Sequence, residues 1–284
     1  MGFGHMSLSS NWKNIHIPHS PTLIMGILNV TTDSFSDGGL FFERGIAINH
    51  ALEMEAAGAD IIDIGGESTR PGAEPVLLED ELNRVIPVIE AIRSESDVCV
   101  SIDTYKANVA EKAITAGANI VNDISGLQFD ESMADVVKNN NVPVVIMHIK
   151  GTPREMQKDP HYDDLMQEVV AYFQERVEFC RQRGIKKRNI ILDPGIGFGK
   201  RSQDNFELLR ELKQIADLGY PVLSGPSRKS FIGLKLDLPV NERVEGTAAA
   251  VTASILNGAK IVRVHDVQEM KRVVTIADNI RGLA

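Results

Sequence analysis

The amino-acid sequence predicts an α/β protein of the (β/α)8, or TIM-barrel, class. Eight short apolar runs rich in β-branched residues each end in a polar cluster, and segments with helical spacing lie between them. Strands that are buried on both faces of a parallel sheet show this apolar continuity. Because eight strand–helix units without a long insertion favour closure, we expect a barrel rather than a doubly wound open sheet. The runs are LIMGILN (23–29), DIIDIGGESTRPG (60–72), VCVSIDT (98–104), NIVNDIS (119–125), PVVIMH (143–148), NIILDPGIGFGK (189–200), PVLSGPSRKS (221–230) and KIVRVHD (260–266).

The intervening segments predict helices in register with these strands. In VLLEDELNRVIPVIEAI, apolar residues recur at three- and four-residue spacing, which is typical of a helix lying on a sheet. AGAD, AGAN and NGAK place Gly58, Gly117 and Gly258 where a helix C-terminus favours a left-handed residue. We expect residues 1–21 to be a tag remnant and an arm, and residues 22–284 to form one domain. The helices are expected at about 42–57, 78–96, 106–116, 131–140, 162–183, 203–217, 242–257 and 266–281.

Composition narrows the functional class. A chain of 284 residues with 43% hydrophobic residues suits one barrel, typically about 250 residues long. The formal charge of −9 argues against a nucleic-acid binder or an anionic-membrane binder. No apolar stretch approaches the roughly 20 residues needed to cross a bilayer, and no secretory pattern opens the chain. Cys99 and Cys180 lie within a predicted strand and a predicted helix, so we expect reduced thiols and a cytoplasmic location.

Acidic and amide residues close four of the predicted strands, namely Asp63, Asp103, Asn122 and Asp193. A single aspartate at such a position is more often a helix N-cap. Four at equivalent positions are harder to explain in that way, because a carboxylate is costly to bury without a partner. Since a carboxylate accepts two parallel N–H bonds and an amide both donates and accepts, the set predicts a polar floor for a flat nitrogen heterocycle.

Cations gather at the ends of strands two, seven and eight, as Arg70, Arg228, Lys229, Arg263 and His265. In an acidic protein this concentration predicts an anion site, and the loops after strands seven and eight commonly hold phosphate in barrels. The alternative is a set of surface ion pairs with carboxylates.

Two loops, 31–39 and 65–75, are long enough to act as lids over the site. Phe35 would then be an exposed aromatic residue that a ligand covers; the alternative is that both loops are plain connectors. GIGFGK does not match the spacing of a phosphate loop or of a dinucleotide fingerprint. His148 has no second ligand at metal-binding spacing, so a tight transition-metal site is not expected, whereas Mg²⁺ (magnesium) held mainly by a substrate's phosphate oxygens is compatible with the sequence.

The eight runs, taken together and in order, resemble those of bacterial dihydropteroate synthases. The resemblance rests on MGILNVTTDSFSDGG, DIIDIGGESTRPG, VSIDTYK, IVNDISG, MHIKGTPREMQ, ILDPGIGFGK, SRKSFIG and IVRVHDV, from about residue 23 to 284. It departs from the usual pattern at Thr32, where the first loop normally carries proline, and at Lys150. It implies condensation of 6-hydroxymethyl-7,8-dihydropterin diphosphate with p-aminobenzoate, giving 7,8-dihydropteroate and diphosphate in folate synthesis.

The resemblance also implies residue roles, a Mg²⁺ cofactor, small-molecule substrates and a homodimer formed through helices near the C-terminus. The pterin site would comprise Asp103, Asn122, Asp193 and Lys229, with Met147, Ile124 and Phe198 as apolar walls. The diphosphate would be held by Asn29, Arg263 and His265, with Asn29 also contacting Mg²⁺. The p-aminobenzoate pocket would comprise Thr69, Arg70, Pro71, Phe35 and Ser230, and Gly225 and Arg228 would complete the substrate site. The catalytic set would be Asp103, Lys229, Arg263, His265 and Asn29.

Charge development predicts a dissociative substitution without a covalent enzyme intermediate, in which cations stabilise the leaving diphosphate. Three other functions compete with this hypothesis. A methyltetrahydrofolate-dependent methyltransferase would share the pterin floor but not the SRKS and RVHD cations. A non-catalytic pterin-binding homologue and a barrel acting on a sugar phosphate are further alternatives, and the latter leaves the strand-end acids unexplained.

Overall fold

Eight parallel strands close into a barrel in the part of the chain that the computed structural model describes, residues 20–30 and 40–283. Each strand pairs with its neighbours in sequence, and β8 pairs with β1, which confirms the predicted fold. The strands are β1 Leu23–Asn29, β2 Ile61–Gly65, β3 Cys99–Asp103, β4 Ile120–Asp123, β5 Val144–Met147, β6 Ile190–Asp193, β7 Val222–Ser224 and β8 Ala259–Val264. The expected arm and tag remnant before residue 20, the loop 31–39, Thr32 and Phe35 lie outside the described residues.

Helices follow the strands around the outside of the barrel. They are α1 Leu40–Ala56, α2 Leu78–Glu95, α3 Ala107–Ala116, α4 Met133–Asn140, α5 Leu165–Gln182, α6 Ser202–Arg210, α7 Lys213–Ala216, α8 Ser230–Leu236, α9 Val244–Leu256 and α10 Val267–Ile280, with 3₁₀ turns at Lys187–Asn189 and Val240–Glu242. Gly58, Gly117 and Gly258 have φ of 102°, 119° and 105°, so the expected left-handed helix ends are present. No helix in these ranges is long and apolar enough to cross a membrane.

The apolar residues form two layers, one on each face of the strands. The outer layer lies between strands and helices, where α2 contributes Val85, Val88, Ile89 and Ile92 at the predicted spacing. The inner layer fills the lower barrel and consists of Leu23, Met25, Ile61, Cys99, Ile120, Val145, Ile191, Leu223 and Ile261. Because strand side chains alternate, the next inward-facing residue lies two positions further along each strand, toward its C-terminal end.

The two ends of the described chain are joined beside the barrel. Thr22 donates from its backbone N and from Oγ1 to the two carboxylate oxygens of Asp278 in α10, over 2.8 and 2.7 Å. Arg281 also donates to Asp278, over 2.8 Å. These bonds hold the last helix against the start of β1, where the barrel closes.

Two elements differ from the sequence-based expectation. The segment 203–217 is divided into α6 and α7, and α8 follows β7 where only a loop was expected. The seven residues of α8, SFIGLKL, include Gly233, which lowers helix propensity, and they are too few for helical periodicity to appear. Cys99 and Cys180 are buried free thiols, as expected, and burial raises the pKa of each to about 12.

We expect Phe173→Ala to lower the free energy of unfolding by about 3–5 kcal/mol, because the ring is fully buried between α5 and the strands. Urea unfolding followed by circular dichroism measures this loss. The control is Phe206→Ala in α6, whose side chain is 40% exposed, and its loss should be less than about 1.5 kcal/mol. Equal losses for the two variants would contradict this account of the outer layer.

Candidate active site

The barrel interior changes from apolar to polar toward the C-terminal ends of the strands. Two residues beyond the inner apolar layer, the inward positions are occupied by Asp63, Ser101, Asn122, Met147, Asp193 and Arg263. Asp103 is level with Gly65 and Asn122 in the strand register, and Asp193 is level with Met147. Of the four residues expected at the floor, Asp63 is fully buried, and Asp103, Asn122 and Asp193 are 8%, 4% and 7% exposed. The structure therefore brings them together at one end of the barrel.

Arg263 connects the carboxylates of two strands. Its Nε donates to Asp63 Oδ2 over 2.6 Å, and its Nη2 donates to Asp103 Oδ2 over 2.7 Å. Asn122 Nδ2 donates to the same oxygen of Asp63 over 3.0 Å. Asp63 is fully buried and lies two residues before the end of β2, level with Ser101. It thus lies two residues before the strand-end position expected for it, and it accepts hydrogen bonds from Asn122 and Arg263.

Burial shifts the ionisation of both floor carboxylates toward the neutral form. It raises the pKa of Asp103 to about 7, while Arg263 opposes this rise and Asp63 adds to it. Burial also raises the pKa of Asp193, against the effect of Lys229. Asp193 Oδ1 accepts from the Gly195 N–H over 2.8 Å. Among the described residues Asp103 Oδ1 has no hydrogen-bond partner, so this buried oxygen is available to a ligand.

Lys229 lies beside Phe198 at the edge of this floor. Its ammonium donates to the Ile196 carbonyl and lies 4.5 Å from the centre of the Phe198 ring. Burial lowers the pKa of Lys229 to about 8, although Asp193 opposes the shift. The expected apolar walls also meet, because Ile124 and Met147 form one cluster against which Phe198 packs.

The cations after β7 and β8 occupy two different environments. His265 Nδ1 lies 2.9 Å from Ser227 Oγ. Burial, Arg263 and Arg228 lower the pKa of His265 to about 4, so the ring is neutral at pH 7. Arg228 instead directs Nε and Nη2 to the two carboxylate oxygens of Asp266, the first over 2.9 Å. The ion-pair alternative therefore describes Arg228, while Gly225 lies against the side chain of Arg263.

The loop after β2 is fixed at its base. Glu67 accepts from Tyr105 Oη over 2.7 Å and from the Val76 N–H over 3.1 Å, and Lys106 bridges Glu67 and Glu81. Thr69 is half-buried, whereas Arg70 and Pro71 are exposed, as is Ser230 at the start of α8. Of these four, Arg70 is close enough to His265 to lower its pKa. Asn29, at the exposed end of β1, lies near Gly65.

Sequence reasoning missed several residues that hold the site in place. Ser227 contacts His265, and Lys106 anchors the loop after β2. Lys200 is 2% exposed and hydrogen-bonds to Phe198 and His148. The sequence signal for Lys200 is its place at the end of GIGFGK, whose spacing does not match a phosphate loop. No cluster of three or more His, Cys, Asp or Glu side chains able to hold a metal occurs in the described ranges.

Comparison with known proteins identifies the family. The model of the pterin binding enzyme family matches residues 25–265. The dihydropteroate synthase of Synechocystis sp. is 51% identical over 258 residues, covering 90% of this chain and 89% of the relative. That of Clostridium beijerinckii is also 51% identical, over 260 residues, covering 91% and 94%.

Solved structures agree with this assignment. Yersinia pestis dihydropteroate synthase in a sulfonamide drug complex superposes with a TM-score of 0.88 at 44% identity, covering 93% of this chain and 95% of the other. The Clostridium difficile enzyme with pteroic acid gives 0.88 at 48%, covering 93% and 98%. The Xanthomonas albilineans enzyme with 4-aminobenzoic acid gives 0.87 at 42%, covering 94% and 95%. The chain therefore belongs to the pterin-binding enzyme family and, within it, to the dihydropteroate synthases.

Proposed function

We propose that this chain condenses 6-hydroxymethyl-7,8-dihydropterin diphosphate with p-aminobenzoate, forming 7,8-dihydropteroate and diphosphate for folate synthesis. The observation that carries the proposal is the juxtaposition, at one end of the barrel, of a buried acid–amide floor and the cations Arg263, His265 and Lys229. A flat heterocycle and an anionic leaving group require these two surfaces side by side. Relatives with this name, and family structures that contain pteroic acid or 4-aminobenzoic acid, support the same substrates.

The floor suits the hydrogen-bonding edge of a pterin. Asp103 retains one carboxylate oxygen without a partner among the described residues, and Asp193 lies across the barrel from it on β6. Asn122 donates to Asp63, which orients its amide so that the oxygen would be available to the ligand. Met147, Ile124 and Phe198 would cover the faces of the ring, and Lys229 would donate to an acceptor at its edge.

The reaction then proceeds by separation of charge. The carbon–oxygen bond breaks with both electrons leaving on the diphosphate, and positive charge develops on the pterin methylene. The reduced ring delocalises this charge, and the carboxylates of Asp103 and Asp193 favour it. The amine of p-aminobenzoate forms the new carbon–nitrogen bond and loses a proton to water or to the departing diphosphate. No covalent bond to the protein is required.

Arg263 and His265 would hold the leaving diphosphate. Arg263 uses Nε and Nη2 on Asp63 and Asp103, which leaves its other N–H groups for the anion. Ser227 Oγ accepts from the His265 backbone N–H over 3.2 Å, so its hydroxyl proton can be donated to Nδ1. The neutral imidazole would then carry its proton on Nε2, where it can donate to a diphosphate oxygen.

Mg²⁺ fits this site as an ion that arrives with the diphosphate. Mg²⁺ prefers oxygen ligands and keeps several waters, so one or two protein ligands are sufficient. Asn29 offers an amide oxygen at the exposed end of β1, on the same side as Gly65 and Asp103. When bound, the ion would neutralise charge that develops on the diphosphate.

The p-aminobenzoate would lie between the loops at the barrel mouth, against Thr69, Arg70, Pro71 and Ser230, with Phe35 contributed by the loop 31–39. Arg228 is paired with Asp266, so it would hold the loops after β7 and β8 together. It would shape this region in that way, rather than by contacting the diphosphate directly. Gly225 would leave the space beside Arg263 free for the substrate.

We also propose that residues 22–284 form a single domain, and that it acts as a homodimer in the cytoplasm. Exposed apolar side chains from α8 to α10 support an interface at this end of the chain. They are Leu234, Leu236, Val240, Leu256, Ile276 and Ile280. The buried free thiols of Cys99 and Cys180 are compatible with a reducing compartment.

Diphosphate release from the pterin diphosphate tests the function directly. With Mg²⁺ present, release should depend on p-aminobenzoate and be inhibited by a sulfonamide, and chelation of the metal by EDTA should stop it reversibly. A coupled phosphate assay with inorganic pyrophosphatase measures the rate. Pterin binding without release would favour a methyltransferase or a non-catalytic homologue instead.

Asp103→Asn should reduce kcat/KM by about 100-fold or more while leaving the fold intact, because it removes a charge that the transition state requires. Steady-state kinetics and circular dichroism measure the two effects. The matched control is Asp237→Asn at the exposed C-terminal end of α8, where φ is 55° and asparagine is tolerated. A near-normal rate for the Asp103 variant would exclude a catalytic role for this residue.

The pH profile of kcat/KM should be bell-shaped, with limbs near the pKa values of Asp103, about 7, and Lys229, about 8. Asp103 carries its charge above its raised pKa, so activity falls as the pH decreases below it. Lys229 carries its charge below its lowered pKa, so activity falls as the pH increases above it. Since coupled groups give macroscopic values, the assignment needs Lys229→Met, in which the alkaline limb should disappear. An unchanged alkaline limb in that variant would refute the assignment.

A further inference from the structure

The glycine-rich segment 195–199, between β6 and α6, contains a hydrogen-bonding pattern that the substrate contacts do not explain. Each of its four successive carbonyls from Ile196 to Gly199 accepts a hydrogen bond from a different side chain. The donors are, in order, Lys229 Nζ, Gln157 Nε2 over 2.7 Å, Lys200 Nζ over 2.9 Å and Tyr162 Oη over 2.8 Å. Four side chains, two of them from the loop after β5, therefore fix one short stretch of backbone.

The backbone conformation explains why side-chain donors are needed. Gly195, Gly197 and Gly199 have φ of 66°, 82° and 64°, a conformation that only glycine adopts readily. Left-handed residues alternate with ordinary ones, so the carbonyls cannot enter a helix or a strand ladder. Buried carbonyls without partners are costly, so each requires a separate donor.

Lys200 is the most deeply buried of the donors that do not face the substrate, at 2% exposed. Besides Phe198 O, its ammonium lies 3.0 Å from His148 Nδ1 and 3.3 Å from His148 O. A protonated lysine has three N–H groups, which match these three acceptors, and burial lowers the pKa of Lys200 to about 7. Burial and Lys200 lower the pKa of His148 to about 2, which keeps the ring neutral and its Nδ1 free to accept. Lys200 thus joins the end of β5 to segment 195–199.

We propose that Lys200 is a positioning residue for the pterin site, which holds the Phe198 peptide so that its ring and the Lys229 ammonium keep their mutual geometry. The inference rests on the proposed function. Phe198 packs on the Met147 cluster and lies 4.5 Å from Lys229 Nζ, while the preceding carbonyl of Ile196 accepts from Lys229. Freeing the Phe198 carbonyl therefore displaces both the wall and the cation.

The other donors differ in ways that make them useful comparisons. Gln157 is exposed, so water can replace it at the Gly197 carbonyl. Tyr162 is 5% exposed and contacts only the far end of the segment. Lys150 is a nearby lysine, but its ammonium bonds to His161 O and Glu168 and lies 4.2 Å from the centre of the Tyr162 ring, without a hydrogen bond to a carbonyl of segment 195–199. Replacing Lys200 should therefore disturb the pterin site most. Removing the Tyr162 hydroxyl should disturb it less, and replacing Lys150 should leave it unchanged.

Lys200→Met tests the proposal, with Lys150→Met as the matched control. The KM for the pterin diphosphate should rise about 10-fold or more, as expected for loss of charged hydrogen bonds, while the KM for p-aminobenzoate changes less than about 2-fold. The control should change neither. The proposal would be overturned if Lys200→Met raised both KM values equally, or if it left the KM for the pterin diphosphate unchanged.

A double-mutant cycle with Phe198→Ala separates positioning from a general structural role. If Lys200 acts through Phe198, the two effects on pterin affinity are not additive, whereas independent effects add. Calorimetric binding of 6-hydroxymethylpterin gives the same comparison without turnover, so an inactive wild-type protein would refute the proposed function and still leave Lys200 testable. If Lys200→Met fails to fold, Tyr162→Phe removes a single hydroxyl; an unchanged pterin KM in that variant would then overturn the proposal.

Discussion

The contact between Arg263 and the two aspartates Asp63 and Asp103 is the interaction on which the rest of the site depends. Three charges lie largely out of water, and their desolvation is tolerated only because each carboxylate shares the same guanidinium. The residues come from β2, β3 and β8, so the contact exists only when β8 has closed against β1. The site is therefore complete only in the closed barrel.

The same contact sets the chemistry of its neighbours. Asp63 has no access to solvent, and among the described residues it accepts from Asn122 and Arg263, so it supports two residues of the proposed substrate site. Asp103 shares Arg263 and is left with a pKa of about 7, while Lys229 across the floor has a pKa of about 8. Burial raises the pKa of the acid and lowers the pKa of the base, so both values lie close to neutral pH. The charge of such groups can respond to a bound ligand.

The sequence was sufficient to predict the barrel, its closure and most of the floor, because strand ends are local features and parallel topology brings them to one face. The depth of Asp63 in the barrel was not predictable from the sequence. It depends on where β2 ends, because a residue two positions before the strand end lies inside the barrel and not at its rim. Arg228 was grouped with the anion-binding cations, since the sequence does not show that Asp266 meets it with both carboxylate oxygens. Phe35 and Thr32 lie outside the described residues, so their assigned roles remain predictions.

Lys200 shows a further limit of motif reading. The spacing of GIGFGK does not match a phosphate loop, yet the glycines and the lysine still act together. The glycines turn the backbone so that its carbonyls face outward, and a lysine next to the segment can then fold back onto one of them. A phosphate loop presents backbone N–H groups to an anion, whereas this segment presents carbonyls to ammonium, amide and hydroxyl donors. In the proposed site, the same residue types would thus build a wall for the ligand from the opposite polarity of the peptide group.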